Sequence, residues 1–200
     1  MKIILASGSP RRKEILKRLG YEFEIIKAEN DEITDKTKPY EVVQDLSYKK
    51  ALEVKTKVSN KMALGELNSN EKYCIVAADT IVAYDDIILG KPSDRDEAFH
   101  MINMLSGHKH QVYTGVSIIN LEDGLENVFY DKTDVYVKNM SEKEIKEYVA
   151  TGECDDKAGS YAIQGLFSEY IEKYEGDYDN VVGLPATKVD GILKKMMADS

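Results

Sequence analysis

Apolar residues follow two periods along this chain, and together they predict an alternation of strands and helices. Short apolar runs and two-residue alternation are typical of strands. The predicted strands lie at residues 3–5, 21–26, 73–78, 87–89, 112–119 and 128–137. Residues 81–84 are predicted to continue the strand at 73–78 in an extended conformation. Apolar residues three and four positions apart predict helices with one buried face. The predicted helices lie at residues 10–19, 39–58, 94–105, 141–148 and 186–197.

The order of these elements predicts an α/β fold. Residues 73–78 form the most apolar run, which is typical of a strand buried on both faces. The strands at 112–119 and 128–137 are joined by a short polar connection, which favours an antiparallel pair. We therefore expect a mixed β-sheet flanked by helices, in one domain covering residues 1–200. A further short strand is expected near 161–163, before a turn-rich stretch at 175–185.

The turn after the first strand carries the sequence ASGSPRRK at residues 6–13. Pro10 suits the first turn of a helix, where the backbone N–H groups have no intrahelical partner. Those N–H groups, the positive end of the helix dipole and two arginines favour an anion such as a polyphosphate. The alternative is an ordinary helix start with solvated basic residues.

Three further polar residues are candidates for a ligand site. Asp79 follows the most apolar strand and is either a turn residue or a carboxylate that holds a metal or activates water. Lys91, between a glycine and a proline, is either a phosphate ligand or a solvated turn residue. Gln164 has an amide that can pair with the edge of a base, although a polar strand end is the alternative.

Composition narrows the functional classes. Apolar residues make up 42% of the chain and charged residues 32%, with a formal net charge of −9. This charge argues against a protein that coats nucleic acid, but a local basic cluster still permits a small anionic substrate. Cys74 and Cys154 are not expected to form a disulfide, and no apolar run is long enough to span a bilayer. We expect a cytoplasmic protein that binds no membrane.

Several motifs, in order along nearly the whole chain, resemble the Maf family of nucleoside triphosphate pyrophosphatases. They are ASGSPRR at 6–12, ADT at 78–80, GKP at 90–92, LSG at 105–107, YTGV at 113–116, TGE at 151–153, DKAGSYAIQG at 156–165, GDY at 176–178 and VGLP at 182–185. The resemblance implies a long mixed sheet in two lobes with a central cleft. It also implies hydrolysis of a nucleoside triphosphate between the α and β phosphates, with a divalent cation, Mg²⁺ or Mn²⁺.

The resemblance assigns roles to individual residues. Asp79 matches the proton acceptor that activates water, and it binds the metal together with Glu32. The positions that bind phosphate and substrate are matched by Ser7, Ser9, Arg11, Lys50 and Lys91. The positions that distinguish the subgroup acting on dTTP and UTP are matched by Arg12, Thr80 and Gln164.

Alternatives remain within and beyond this resemblance. A related subgroup prefers 7-methyl-GTP, and a non-catalytic nucleotide-binding regulator of septum formation is a second alternative. Cys154 stands where the family usually has a proline, and Ala162 replaces a common glycine, which puts the rigidity of this loop in question. The only partner implied is the nucleotide, although a homodimer is common among soluble proteins.

Overall fold

The computed structural model describes residues 1–30 and 33–198, which form a seven-stranded sheet flanked by α-helices. The strands are β1 (Lys2–Leu5), β2 (Phe23–Ile25), β3 (Tyr73–Tyr84), β4 (Ile87–Leu89), β5 (Lys109–Asn120), β6 (Glu126–Val137) and β7 (Ile171–Glu175). The helices are α1 (Pro10–Arg18), α2 (Pro39–Ala63), α3 (Arg95–Leu105), α4 (Glu142–Ala150), α5 (Tyr178–Val182) and α6 (Ala186–Ala198). The predicted α/β class is confirmed.

The sheet is mixed, with the strand order β2-β1-β3-β5-β6-β7 and β4 paired to β3. β1 runs parallel to β2 and β3, and Leu5 lies opposite Ile25 on one side and Val76 on the other. β4 and β7 run antiparallel to β3 and β6. Because parallel strands end at the same edge of a sheet, the segments that follow β1 and β2 leave it side by side. Open α/β sheets bind their ligands at this edge.

The chain divides into two compact units, and β3, β5 and β6 contribute residues to both. The first unit comprises the described residues of 1–79, 114–130 and 183–200, and the second comprises residues 80–113 and 131–182. The single domain over residues 1–200 and the central cleft stay predictions.

In the first unit, successive residues of β3 pack on opposite faces of the sheet, as strand geometry requires. Ile75 and Ala77 share a buried cluster with Val54 of α2. Cys74 packs against α6, with its Sγ atom 4.0 Å from the Sδ atom of Met196. Both faces are therefore covered, which is why this strand is an unbroken apolar run.

In the second unit, α3 packs against α4 and against the turn at residues 158–160. The side chain of Asp94 accepts a hydrogen bond from the Glu97 N–H at 2.8 Å and so caps α3. Ser141 and Glu144 form a reciprocal capping box at the start of α4. Both caps use residues within one turn of the start of the helix.

One strand predicted in the last third of the chain is wrong. No strand forms at residues 161–163. Instead, residues 158–160 form a short 3₁₀ helix in which Gly159 and Ser160 have φ angles of +66° and +62°. Backbone in this left-handed region cannot continue a strand. The stretch at 175–185, predicted to be rich in turns, also contains the short helix α5.

Cys74 and Cys154 are both free and buried. Burial raises the pKa of both thiols, to about 12 for Cys74. Within the part of the chain that the structure describes, none of the helices has the length and apolar character needed to cross a membrane.

Candidate active site

The turn between β1 and α1 contains the helix start and the arginines that the sequence predicts as an anion site. The buried Ser7 side chain accepts a hydrogen bond from the Ser9 N–H at 3.2 Å, which tightens the turn. α1 begins at Pro10, and in this described stretch its first turn has neither a side-chain cap nor an acidic residue. No side chain of this first turn therefore places a negative charge beside its backbone N–H groups. Arg11 lies half-buried in the same turn.

Arg12 is held in place from two sides. Its Nε atom donates to the Gly183 carbonyl at 2.8 Å, and its Nη1 atom donates to the Ser7 hydroxyl at 3.2 Å. Gly183 belongs to the loop that leads into α6, so Arg12 joins the two ends of the sequence within the first unit. A planar guanidinium held in this way keeps a fixed orientation. A fixed orientation suits the recognition of a ligand group better than a mobile charged side chain would.

Sequence reasoning missed Lys27. This residue follows β2, and its side chain lies across Gly8 in the turn after β1. A Cβ atom on Gly8 would lie 2.9 Å from the Cε atom of Lys27 and 3.3 Å from its Nζ atom. The glycine therefore makes room for the lysine stem, which adds a positive charge beside the turn. The signal for this contact is the parallel pairing of β1 with β2, which the sequence alone does not provide.

The Lys50 ammonium donates to the Asp79 carboxylate at 2.5 Å. Lys50 is on α2 and Asp79 is on β3, and their side chains are only 17% and 8% exposed. Two charges that are largely removed from water stabilise each other only in close contact. The pair therefore brings a carboxylate and an ammonium group together between α2 and β3, within the first unit.

The location of Asp79 differs from the prediction in one respect. The sequence suggested that it follows the end of a strand, whereas β3 continues without a break from Tyr73 to Tyr84. The pairing of β1 with β3 ends at Leu5 and Val76, so Asp79 lies beyond that ladder but still on an extended strand. An extended backbone fixes the direction of the carboxylate more firmly than a loop would.

The predicted metal ligands are Asp79 and Glu32, and Glu32 lies outside the described residues. Within residues 1–30 and 33–198, no group of three or more acidic, histidine or cysteine side chains is arranged to hold a metal. Mg²⁺ commonly binds through one or two carboxylates together with substrate phosphates. The buried carboxylate of Asp79 fits this mode of binding.

Thr80, Lys91 and Gln164 belong to the second unit. Thr80 is half-buried on β3, and Lys91 is exposed just after β4. The Gly90 carbonyl accepts a hydrogen bond from the Gly159 N–H at 3.0 Å, which connects the turn of Lys91 to the segment that leads to Gln164. Gln164 is exposed, and its side chain is hydrogen-bonded to Tyr178.

Comparison with known proteins decides the family. The model of the family described as "Maf: Maf-like protein" matches residues 2–196. The chain belongs to the Maf family. A relative from Caldanaerobacter subterraneus subsp. tengcongensis is 45% identical over 195 residues, which cover 98% of this chain and 89% of the relative. Its name is dTTP/UTP pyrophosphatase.

Two further relatives of this Maf protein carry the same name, dTTP/UTP pyrophosphatase. The protein from Agathobacter rectalis is 44% identical over 201 residues, covering 98% of each chain. The protein from Bacillus thuringiensis subsp. konkukian is 45% identical over 199 residues, covering 99% of this chain and 97% of the relative. The resemblance inferred from the motifs is therefore confirmed.

The departures from the Maf pattern lie in a well-anchored loop. Cys154 is buried, and its Sγ atom lies 3.8 Å from the Val149 carbonyl oxygen. Asp155 forms a two-atom pair with Arg95, at 3.0 Å from Nε and 3.2 Å from Nη2. Paired contacts of this kind restrain a loop.

Proposed function

We propose that this Maf protein hydrolyses dTTP and UTP to the nucleoside monophosphate and pyrophosphate. Relatives that are about 45% identical over nearly the whole chain are named for this activity. The chain also has Arg12, Thr80 and Gln164 at the positions that resemble those of the dTTP/UTP subgroup.

The observation that carries this proposal is the buried pair of Lys50 and Asp79. In the proposed reaction, Asp79 accepts a proton from the attacking water as the bond between the α and β phosphates breaks. Pyrophosphate leaves with the bridging oxygen. Lys50 keeps a positive charge next to the carboxylate and helps to offset the negative charge that accumulates on the phosphates.

The turn after β1 is proposed to bind the triphosphate. The side chains of Ser7, Ser9 and Arg11 and the dipole of α1 provide donors and positive charge in one short segment. Lys91 is proposed as a further phosphate ligand because it matches the Maf motif GKP at residues 90–92. Phosphoryl transfer depends mainly on positioning and charge neutralisation, which matches this set of residues.

A divalent cation, Mg²⁺ or Mn²⁺, is proposed to be held by Asp79 and Glu32. When bound, it supplies charge neutralisation on the phosphates and lowers the pKa of water. The donor set of carboxylate oxygens suits these hard cations better than zinc.

Thr80 and Gln164 are proposed to select the base. One glutamine amide offers both a donor and an acceptor, which matches the carbonyl and N–H edge of uracil and thymine. Loss of such a paired contact generally costs about 1–3 kcal/mol, because a buried partner is left unsatisfied.

The cellular setting proposed for this reaction is the cytoplasm. The two cysteines are free thiols, which suits a reducing compartment. A homodimer is proposed only because that arrangement is common among soluble proteins.

The test is a substrate panel with purified protein and Mg²⁺ or Mn²⁺. We expect pyrophosphate to be released from dTTP and UTP faster than from CTP or 7-methyl-GTP. Release of orthophosphate instead of pyrophosphate, or no turnover of any nucleotide, would contradict the proposed activity. A preference for 7-methyl-GTP would keep the reaction and reject the pyrimidine specificity.

A further inference from the structure

The backbone that immediately follows Gln164 is anchored by one carboxylate. The Glu153 Oε2 atom accepts a hydrogen bond from the Leu166 N–H at 2.8 Å, and Oε1 accepts a longer one from the Phe167 N–H at 3.4 Å. Glu153 lies just after α4, more than ten residues away in the sequence. Charge-assisted bonds to backbone N–H groups are stronger than neutral ones, so this contact fixes the segment more firmly than a neutral contact would.

The carboxylate also occupies the space where a side chain of residue 165 would lie. A Cβ atom on Gly165 would be 2.3 Å from each of the two carboxylate oxygens of Glu153. The Gly165 φ angle is −102°, which an alanine adopts readily. The glycine is therefore required by the closeness of Glu153, and not by the conformation of its own backbone.

Glu153 is itself in contact with the buried side chain of Tyr148. The Tyr148 hydroxyl lies 3.3 Å from Oε1 of Glu153 and 3.2 Å from the Ser160 carbonyl oxygen. Burial raises the pKa of Tyr148, so its hydroxyl stays protonated and serves as a donor. The Tyr148 ring packs against Phe167 with 5.0 Å between centroids. These contacts connect α4 to the segments on both sides of Gln164.

We propose that Glu153 is a positioning residue that holds Gln164 in the pose needed to select uracil or thymine over cytosine. This inference rests on the proposed function, in which the Gln164 amide contacts the base. Uracil offers an N–H donor beside a carbonyl, whereas cytosine offers a ring-nitrogen acceptor beside an amino donor. An amide in one fixed orientation complements only one of these patterns. A loosened backbone lets residue 164 shift, so that its amide no longer meets the edge of uracil in the favoured geometry.

The test compares UTP with CTP for the wild type, Glu153→Ala and Glu153→Gln. We expect the ratio of kcat/KM for UTP to that for CTP to fall by about tenfold in Glu153→Ala. KM for UTP should rise, while kcat changes by less than about threefold. A residue that only stabilised the fold would not change this ratio. Glu153→Gln keeps the side-chain size and supplies the same comparison if the alanine variant does not fold.

Two further variants make the comparison specific. Glu142→Ala removes an exposed carboxylate from the start of α4 that pairs only with Lys146 among the described residues, and its ratio should equal the wild type. Gly165→Ala should lower the ratio through its clash with Glu153. In a Glu153→Ala background, Gly165→Ala should add no further loss, because the clashing carboxylate is gone.

Binding of the α,β-methylene analogues of UTP and CTP separates this inference from the proposed activity. If the wild type releases no pyrophosphate, the activity is contradicted, while the binding ratio still tests the role of Glu153. An unchanged ratio in both Glu153 variants, or an equal fall for both nucleotides together with kcat, overturns the inference. Equal binding of both analogues by the wild type also overturns it.

Discussion

Lys50 and Asp79 place opposite charges 2.5 Å apart where little water reaches them. Withdrawing two ions from water is costly, and their attraction only partly repays that cost. Such a pair is therefore weak evidence for stability and better evidence for function, because ionisable groups in buried positions cluster at active sites. The neighbouring pair of Lys49 and Asp45 illustrates the contrast. It has a similar distance of 2.6 Å, but Lys49 is 50% exposed, and such pairs contribute little.

His110 is a second buried ionisable residue, with a structural role. It is fully buried in the second unit, and its Nε2 atom lies 2.7 Å from the Tyr161 hydroxyl. Its Nδ1 atom has no hydrogen-bond partner among the described residues. Burial lowers the pKa of His110 from 6.5 to about 4, although nearby Asp134 acts in the opposite direction. The imidazole is therefore neutral at physiological pH and would be costly to protonate.

This gives the first prediction, a dependence of stability on pH. The folded-state pKa is below the unfolded value, so the unfolded chain takes up the proton first as pH falls. The contribution of His110 to the free energy of unfolding should be at its full value above pH 6.5 and should be lost down to about pH 4, by about 3 kcal/mol. Urea unfolding at a series of pH values measures this change. His110→Gln should flatten the decrease, and His108→Gln, at an exposed position, should leave it as in the wild type. An equally steep decrease in His110→Gln would contradict the prediction.

At the scale of secondary-structure elements, the backbone of α2 packs directly against β5. A Cβ atom on Gly115 of β5 would lie 2.1 Å from the Val43 carbonyl oxygen and 2.8 Å from the Gln44 nitrogen. These are backbone atoms of α2 and cannot move aside as a flexible side chain would. The glycine therefore sets how closely the helix that carries Lys50 approaches the sheet.

Gly115→Ala should consequently destabilise the first unit by several kcal/mol, because the helix must move away from the sheet. The matched control is Gly191→Ala in α6, where a new Cβ atom meets no described atom within 4 Å. That change should stabilise the protein by about 0.5–1 kcal/mol, since alanine favours a helix. Thermal unfolding by circular dichroism measures both. A Gly115→Ala protein as stable as the wild type would show that α2 does not pack as described.

The helices α3 and α4 form where the sequence predicts them, because contacts between residues close together in the chain fix where each helix begins. The Ser141 capping box and the Asp94 cap depend on residues within one helical turn, and both are observed. The expected strand at residues 161–163 failed because the positive φ angles of Gly159 and Ser160 depend on tertiary contacts. One such contact is Val82, which would lie 2.8 Å from a Cβ atom on Gly159. No periodicity in the sequence encodes such an approach.

At the scale of the whole molecule, candidate residues come from distant parts of the chain. The first unit brings Arg12, Gly183 and Ser7 into one hydrogen-bonded group, and brings Lys50 to Asp79. The motifs identified most of these residues in advance. Lys27 and Glu153 had no assigned role, because their importance lies in contacts with glycines far from them in sequence. Glu32 lies outside the described residues, so its role as a metal ligand stays a prediction.

The central claim is that Asp79 is the proton acceptor in pyrophosphate release. The most direct measurement is the rate of pyrophosphate release from dTTP by Asp79→Asn, compared with the wild type and with Asp86→Asn. Asp86 lies in the exposed turn after β3 with a φ angle of +63°, which asparagine tolerates, so this control should keep its full activity. Asp79→Asn should lose at least about 100-fold in kcat while its thermal unfolding curve still shows a folded protein. A folded Asp79→Asn protein that turns over dTTP at the wild-type rate would contradict the claim.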